Sequence, residues 1–96
     1  MNITKTINGT QLLVTLSGRL DTSTAPQFEE FMAENISKID ALTLDCAALE
    51  YVSSAGLRVL LAMQKRMKGA MKLKNVCELV MEVFEMTGFT EILVIE

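Results

Sequence analysis

Two adjacent serines, Ser53 and Ser54, are followed by Ala55, Gly56 and Leu57. A hydroxyl pair just ahead of a glycine is where this chain's side chains could do chemistry. As a nucleophile, a serine needs a base to take its proton. The chain has no His, and Val52 occupies the first glycine position of a G-x-S-x-G elbow. A Ser–Lys arrangement stays formally open, but every imidazole-based triad and most catalytic zinc sites are removed. A serine at a helix start is reachable, because the chain leaves the sheet there and the hydroxyl can point outward. The first N–H groups of a helix lack intrahelical partners, and with the helix dipole they favour an anion.

The other reactive residues say less. Cys46 and Cys77 stand in no metal-ligand spacing and read as buried small hydrophobes rather than redox sensors. The glycines at positions 9, 18, 56, 69 and 88 form no phosphate-cradling loop. No catalytic residue, cofactor or metal is expected. The balance of 9 Lys+Arg against 12 Asp+Glu, net −3, argues against direct nucleic-acid binding, which needs a positive excess. The opening Met1–Gly9 segment has no signal-peptide character and no apolar run is long enough to span a bilayer, so a cytoplasmic protein without membrane insertion is expected. With 96 residues, half of them hydrophobic, the chain has length for one core and one domain, 1–96, and little room for a deep substrate cavity.

The elements that must position the serines follow from periodicity. Ile3 and Ile7, then Leu12, Val14 and Leu16, keep period-two spacing around Asn8-Gly9, a hairpin signal. Thr22-Ser23-Thr24 offers N-cap oxygens before Pro26 and a helical stripe of Phe28, Phe31, Met32, Ile36 and Ile39. Ala41, Leu42, Leu44 and Cys46 read as a short strand in the middle of a sheet. After the serines, Leu57, Leu60, Leu61, Gln64 and Met67 form a second helix ending at Gly69. Met71 and Leu73 form a brief strand. Asn75 and Glu78 suggest a capping pair for a third helix with Leu79, Val80, Val83 and Phe84, ended by Gly88. Ile92 to Ile95 read as a last strand. The order is ββαβαβαβ, an α/β fold with a mixed sheet of four to five strands, since an opening hairpin is antiparallel and crossovers through helices are parallel.

Gly18-Arg19-Leu20-Asp21, Leu42-Thr43-Leu44-Asp45, the turn Tyr51 to Leu60 and Val83 to Phe89 together resemble the STAS domain of bacterial anti-sigma factor antagonists. The resemblance covers essentially the whole chain. It implies the STAS fold, with three main helices packed mostly on one face of the sheet. It also implies a switch. Family members bind an anti-sigma factor that is also a serine kinase, release a sigma factor, are turned off by phosphorylation of one serine of the turn, and are reset by a PP2C-type phosphatase. Carried over, the phosphorylated residue is Ser54, and Asp21, Thr22, Ser53, Ser54, Ala55, Gly56 and Arg58 form the partner surface. Two positions depart from the family pattern: Ser53 stands where Asp is common, and Ala55 where a second hydroxyl is common. The alternative is a STAS scaffold that is not phosphorylated and serves as an interaction subunit of a larger signalling or transport-related assembly.

Each of these residues also has a plainer role. Ser53 reads as a cap or turn residue, worth about 1 kcal/mol. Asp21 could cap the first helix. Arg58 could pair with a phosphate or with a partner carboxylate. The seven Met residues read as core filler. Lys65, Arg66, Lys68, Lys72 and Lys74, five of the nine basic residues, read as a solvated face or a docking patch.

Overall fold

A computed structural model describes residues 1–96 as one five-stranded sheet with three α-helices. Strands β1 (Asn2–Asn8) and β2 (Gln11–Leu20) form the antiparallel hairpin. Its two-residue turn is centred on Gly9-Thr10, one residue beyond the expected Asn8-Gly9, because Asn8 pairs with Gln11. Gly9 alone has positive φ, +66°, the pattern of a type II′ turn, which suits the right-handed twist of the strands.

Helix α1 (Ala25–Asn35) leads through a short 3-10 turn into β3 (Ala41–Val52). Helix α2 (Ser54–Met67), β4 (Met71–Lys74), α3 (Glu78–Thr87), a second 3-10 turn and β5 (Val94–Ile95) complete the chain. Strands lie in the sheet in the order β1-β2-β3-β4-β5, and every pairing after the first is parallel. No helix is long and apolar enough to cross a membrane.

One face of the sheet is buried. Leu12, Val14 and Leu16 of β2, Leu42, Leu44 and Cys46 of β3, and Met71 and Leu73 of β4 alternate with partly exposed Leu13, Thr15, Thr43 and Asp45. Phe28 and Met32 of α1, Leu57, Leu60 and Met63 of α2, and Val80 and Phe84 of α3 join the same cluster. No polar residue is buried within it. Each fully buried side chain of this size contributes about 1.5–3 kcal/mol. Because strand order follows chain order, each right-handed crossover moves the same way across the sheet, which puts all three helices on one side with α2 in the middle.

The sequence reading needs several corrections. The strand expected over Ala41–Cys46 runs on to Val52. Two register shifts, between Thr15 and Ser17 and between Gly18 and Arg19 of β2, each accommodate an extra β3 residue, and this lets Leu49 and Val52 turn inward beyond the reach of β4. Helix α2 stops a residue before Gly69, with Lys68 itself left-handed at φ 53°. Asn75 does not cap α3. It also has positive φ, its amide donates to Asp45 Oδ1 at 3.1 Å, and Cys77 takes the cap position without a side-chain bond. The last strand shrinks to two residues, since Phe89–Glu91 form a helical turn that buries Leu93 and leaves Ile92 exposed.

Candidate functional site

The serine turn is built where the C-terminal ends of β2 and β3 meet the start of α2. The Ser53 N–H donates to the Leu20 carbonyl at 2.8 Å, so the chain leaving β3 is tied to the last residue of β2. Ser53 is extended, at φ −93° and ψ 177°, and is the N-cap of α2. Its carbonyl accepts from the Leu57 N–H at 2.9 Å and its hydroxyl from the Gly56 N–H at 3.5 Å. With Ser53 engaged as the cap, Ser54 becomes the first helical residue. It is exposed, and its hydroxyl makes none of the chain's hydrogen bonds.

Gly56 sets how closely α2 approaches the sheet. A Cβ at this position would stand 2.7 Å from Leu20 Cγ and 2.9 Å from the Leu20 carbonyl oxygen. The first turn of α2 therefore rests directly on the end of β2, and any side chain at position 56 would lift it.

The neighbouring wall is the loop from Asp21 to Thr24. Asp21 Oδ1 accepts from the Ser23 hydroxyl at 2.8 Å and from the N–H groups of Ser23 and Thr24 at 3.0 and 3.2 Å. These donors hold the carboxyl below the usual carboxylate range, the Ser23 hydroxyl first, against a smaller opposing effect of desolvation. Thr24 Oγ1 donates to the Arg19 carbonyl at 2.7 Å and accepts from the Asp21 N–H at 2.9 Å. Thr24 is the N-cap of α1 but makes no side-chain cap bond, so the expected N-cap oxygens of Thr22-Ser23-Thr24 are not used as such, and the Asp21 carboxylate organises the turn just before the helix instead. Arg19 lies 4.4 Å from the centre of the Tyr51 ring and brings its guanidinium within 3.8 Å of Asp21 Oδ2.

Between α1 and α2 lies an open groove of about 280 Å³, lined by Thr22, Ala25, Pro26, Glu29, Ala55, Arg58 and Val59. The structure thereby brings Thr22, Ala55 and Arg58 to one surface, with Ser53 and Gly56 joined to Leu20 beneath it. Asp21 faces Arg19 instead. Sequence reasoning missed Ala25, Pro26, Glu29 and Val59. Spacing places 22, 25, 26 and 29 on one face of a helical path and 55, 58 and 59 on another, but carries no signal that the two faces meet.

The remaining candidates separate. Lys65, Arg66 and Lys68 are exposed at the end of α2, whereas Lys72 and Lys74 sit on β4 at positions facing the uncovered side of the sheet, where Lys72 pairs with Glu96 at 3.2 Å. The five therefore do not form one patch. Cys46 is fully buried and burial pushes its thiol up to about 12, whereas Cys77 is only half-buried and its thiol donates to the Leu49 carbonyl at 3.4 Å. Among the methionines, Met32, Met63, Met67 and Met71 are core residues, but Met86 is 86% exposed and fills nothing. No group of three or more His, Cys, Asp or Glu is arranged to hold a metal ion.

An exposed hydroxyl at a helix start with no base beside it is suited to receive a group, and the groove beside it is suited to contact a protein surface. Comparison with known proteins identifies the family of the chain. Residues 3–95 match the family model described as Mlab, STAS domain. BtrV of Bordetella bronchiseptica, which carries the name of an anti-sigma factor antagonist, is 38% identical over 85 residues, covering 84% of this chain and 73% of that protein. The anti-sigma factor antagonist SpoIIAA in its unphosphorylated form superposes with a TM-score of 0.82 at 16% identity, over 99% of this chain and 88% of that one. The Bacillus cell fate determinant SpoIIAA in its phosphorylated form does so with a TM-score of 0.74 at 15% identity, over 99% and 91%. At such identities the two structures speak for the fold alone.

Proposed function

Because this chain belongs to the STAS domain family, we propose that it is an anti-sigma factor antagonist whose serine turn is both the docking surface and the switch. The unmodified form binds an anti-sigma factor with serine kinase activity and so frees a sigma factor. Phosphorylation at Ser54 ends the complex, and a PP2C-type phosphatase restores it. The chain acts as a binding protein rather than an enzyme, in the cytoplasm.

The observation that carries this reading is the division of labour between the two serines. Ser53 is held as the helix cap while Ser54 is exposed on the first turn of α2. A kinase can reach Ser54 without unfolding the helix, and the unpaired N–H groups there accommodate the added charge. The same charge would sit beside a groove that a partner must desolvate, so it weakens the complex while leaving the fold in place.

Incubating the purified protein with ATP and an anti-sigma kinase encoded near it, followed by intact-mass and phosphosite mapping, tests the switch. One phosphoryl group that is lost in Ser54→Ala is the expected result, together with weaker kinase binding by Ser54→Asp in a titration. If the kinase modifies another substrate but leaves this chain unmodified, the switch falls. A non-phosphorylated STAS interaction subunit would then be the better account, a reading favoured by Ser53 standing where the family commonly has Asp.

A further inference from the structure

Helix α2 carries Arg58, Lys65 and Arg66 and no carboxylate, with Lys68 following at its C-cap. All four are exposed. Neither neighbouring helix compensates them. Helix α1 contains Glu29, Glu30 and Glu34 and α3 contains Glu78, Glu82 and Glu85, neither has a Lys or Arg, and all six carboxylates are exposed. The chain's ion pairs within 4.0 Å are Arg19–Asp21 and Lys72–Glu96, so no cation of α2 is paired. Even Glu29, which lines the same groove as Arg58, does not close on it.

The helix dipole explains part of this arrangement. Cations in the last turn are favourable, which accounts for Lys65 and Arg66. Arg58, the fifth residue of the helix, lies outside the last turn, so the dipole does not account for it, and no carboxylate three or four residues away offsets its charge. From Ser54 the exposed stripe continues through Arg58, Ala62 and Lys65, with half-buried Leu61 beside it, at spacings that keep one face. At 1.5 Å per residue the stretch from Ser54 to Lys68 is about 21 Å long.

We infer that this stripe is a docking site for a narrow acidic segment of the protein partner, a helix or loop with carboxylates about two turns apart that meet Arg58 and Lys65. The inference rests on the anti-sigma reading above and names the chemistry of that partner's contact surface. Charge complementarity selects this occupant. A broad polyanion such as duplex DNA or an anionic membrane would cover α1 and α3 as well and meet six carboxylates, whereas one acidic segment following α2 meets only cations. The stripe also gives the switch a second effect. A phosphate on Ser54 stands one helical turn from Arg58 and pairs with it, removing the partner's nearest anchor while repelling its carboxylates.

The test titrates each anti-sigma kinase purified from the host genome against the wild type, Ser54→Asp, and a Lys65→Ser/Arg66→Ser/Lys68→Ser variant, at low and at physiological salt. The three substituted residues are exposed and outside the serine turn, so an unchanged melting curve confirms that the variant folds. The expected result is at least tenfold weaker binding by the variant and a flatter salt dependence. Wild-type binding that Ser54→Asp weakens but the triple variant leaves intact would overturn the stripe and keep the anti-sigma reading. No binding by the wild type to any of these kinases would remove both. Binding of the wild type to a 20-base-pair duplex or to phosphatidylglycerol vesicles, lost in the triple variant, would also overturn the assignment to a protein partner.

Discussion

At the scale of single residues, contact distances set what the serine turn tolerates. A methyl group at position 56 would press into both the side chain and the carbonyl of Leu20, and a carbonyl oxygen in a sheet cannot move aside as a side chain can. Gly56→Ala is therefore expected to destabilise the protein by about 1–3 kcal/mol through overpacking, outweighing the gain in helix propensity of roughly 1 kcal/mol. Chemical denaturation of the two proteins side by side checks this, and an alanine variant as stable as wild type would mean that α2 is not seated on Leu20. Position 54 is different. Its side chain faces solvent, so Ser54→Ala should leave stability nearly unchanged while removing the hydroxyl.

Among the elements, the end of α2 shows both what the sequence made legible and what it hid. Lys68 holds a left-handed conformation, φ 53°, that costs a residue with a Cβ roughly 1 kcal/mol. Lys68→Gly is expected to raise stability by a few tenths to about 1 kcal/mol, read as a higher denaturation midpoint with an unchanged slope. The glycine at 69 pointed to the helix end but placed it one residue late, because which residue turns left-handed depends on how α2 docks, not on residue preference alone. The helical stripes and the alternation in β2, β3 and β4 were readable because burial on one face imposes a period on the chain. The second half of β3 was not. Its two bulges break the alternation, so Ala47 and Ala48 are both exposed while Leu49 is buried. Asn75 misled for a related reason: its amide serves Asp45 across the sheet instead of the helix beside it. In the site, local spacing placed the serines at a helix start and Arg58 one turn on, while their proposed role came from the family resemblance. The α1 side of the groove was not legible, since it depends on how two helices meet.

For the whole molecule, acid stability should depend on two carboxylates, one that organises a local turn and one that joins distant segments. Asp21 organises the entry to α1, and Asp45 joins β3 to the loop after β4 by accepting from the Asn75 amide and the Ala47 N–H. Both carboxyls are held below their ordinary range, Asp21 mainly by the Ser23 hydroxyl and Asp45 mainly by the Asn75 amide. A carboxyl whose folded value lies below its unfolded one stabilises the fold above the unfolded value, near pH 4, and that contribution fades as pH falls through the folded value. Unfolding free energy should thus be level from pH 7 to about 5 and decline below about 4. In Asp45→Ala the protein should be weaker at neutral pH and its decline shallower, as denaturation curves collected across that range would record.

The strict agreement between chain order and strand order has a further consequence for how the protein comes into being. Each strand after the first is laid down beside its predecessor, and none must be inserted between two strands already in place. A chain emerging from the ribosome amino terminus first can therefore assemble in the order it is made, hairpin first and each helix–strand unit added at the growing edge. Helix α2 lies midway along that route. Until β4 and α3 arrive, its neighbours on one side are missing, so α2 is flanked on both sides only after those later segments have been made.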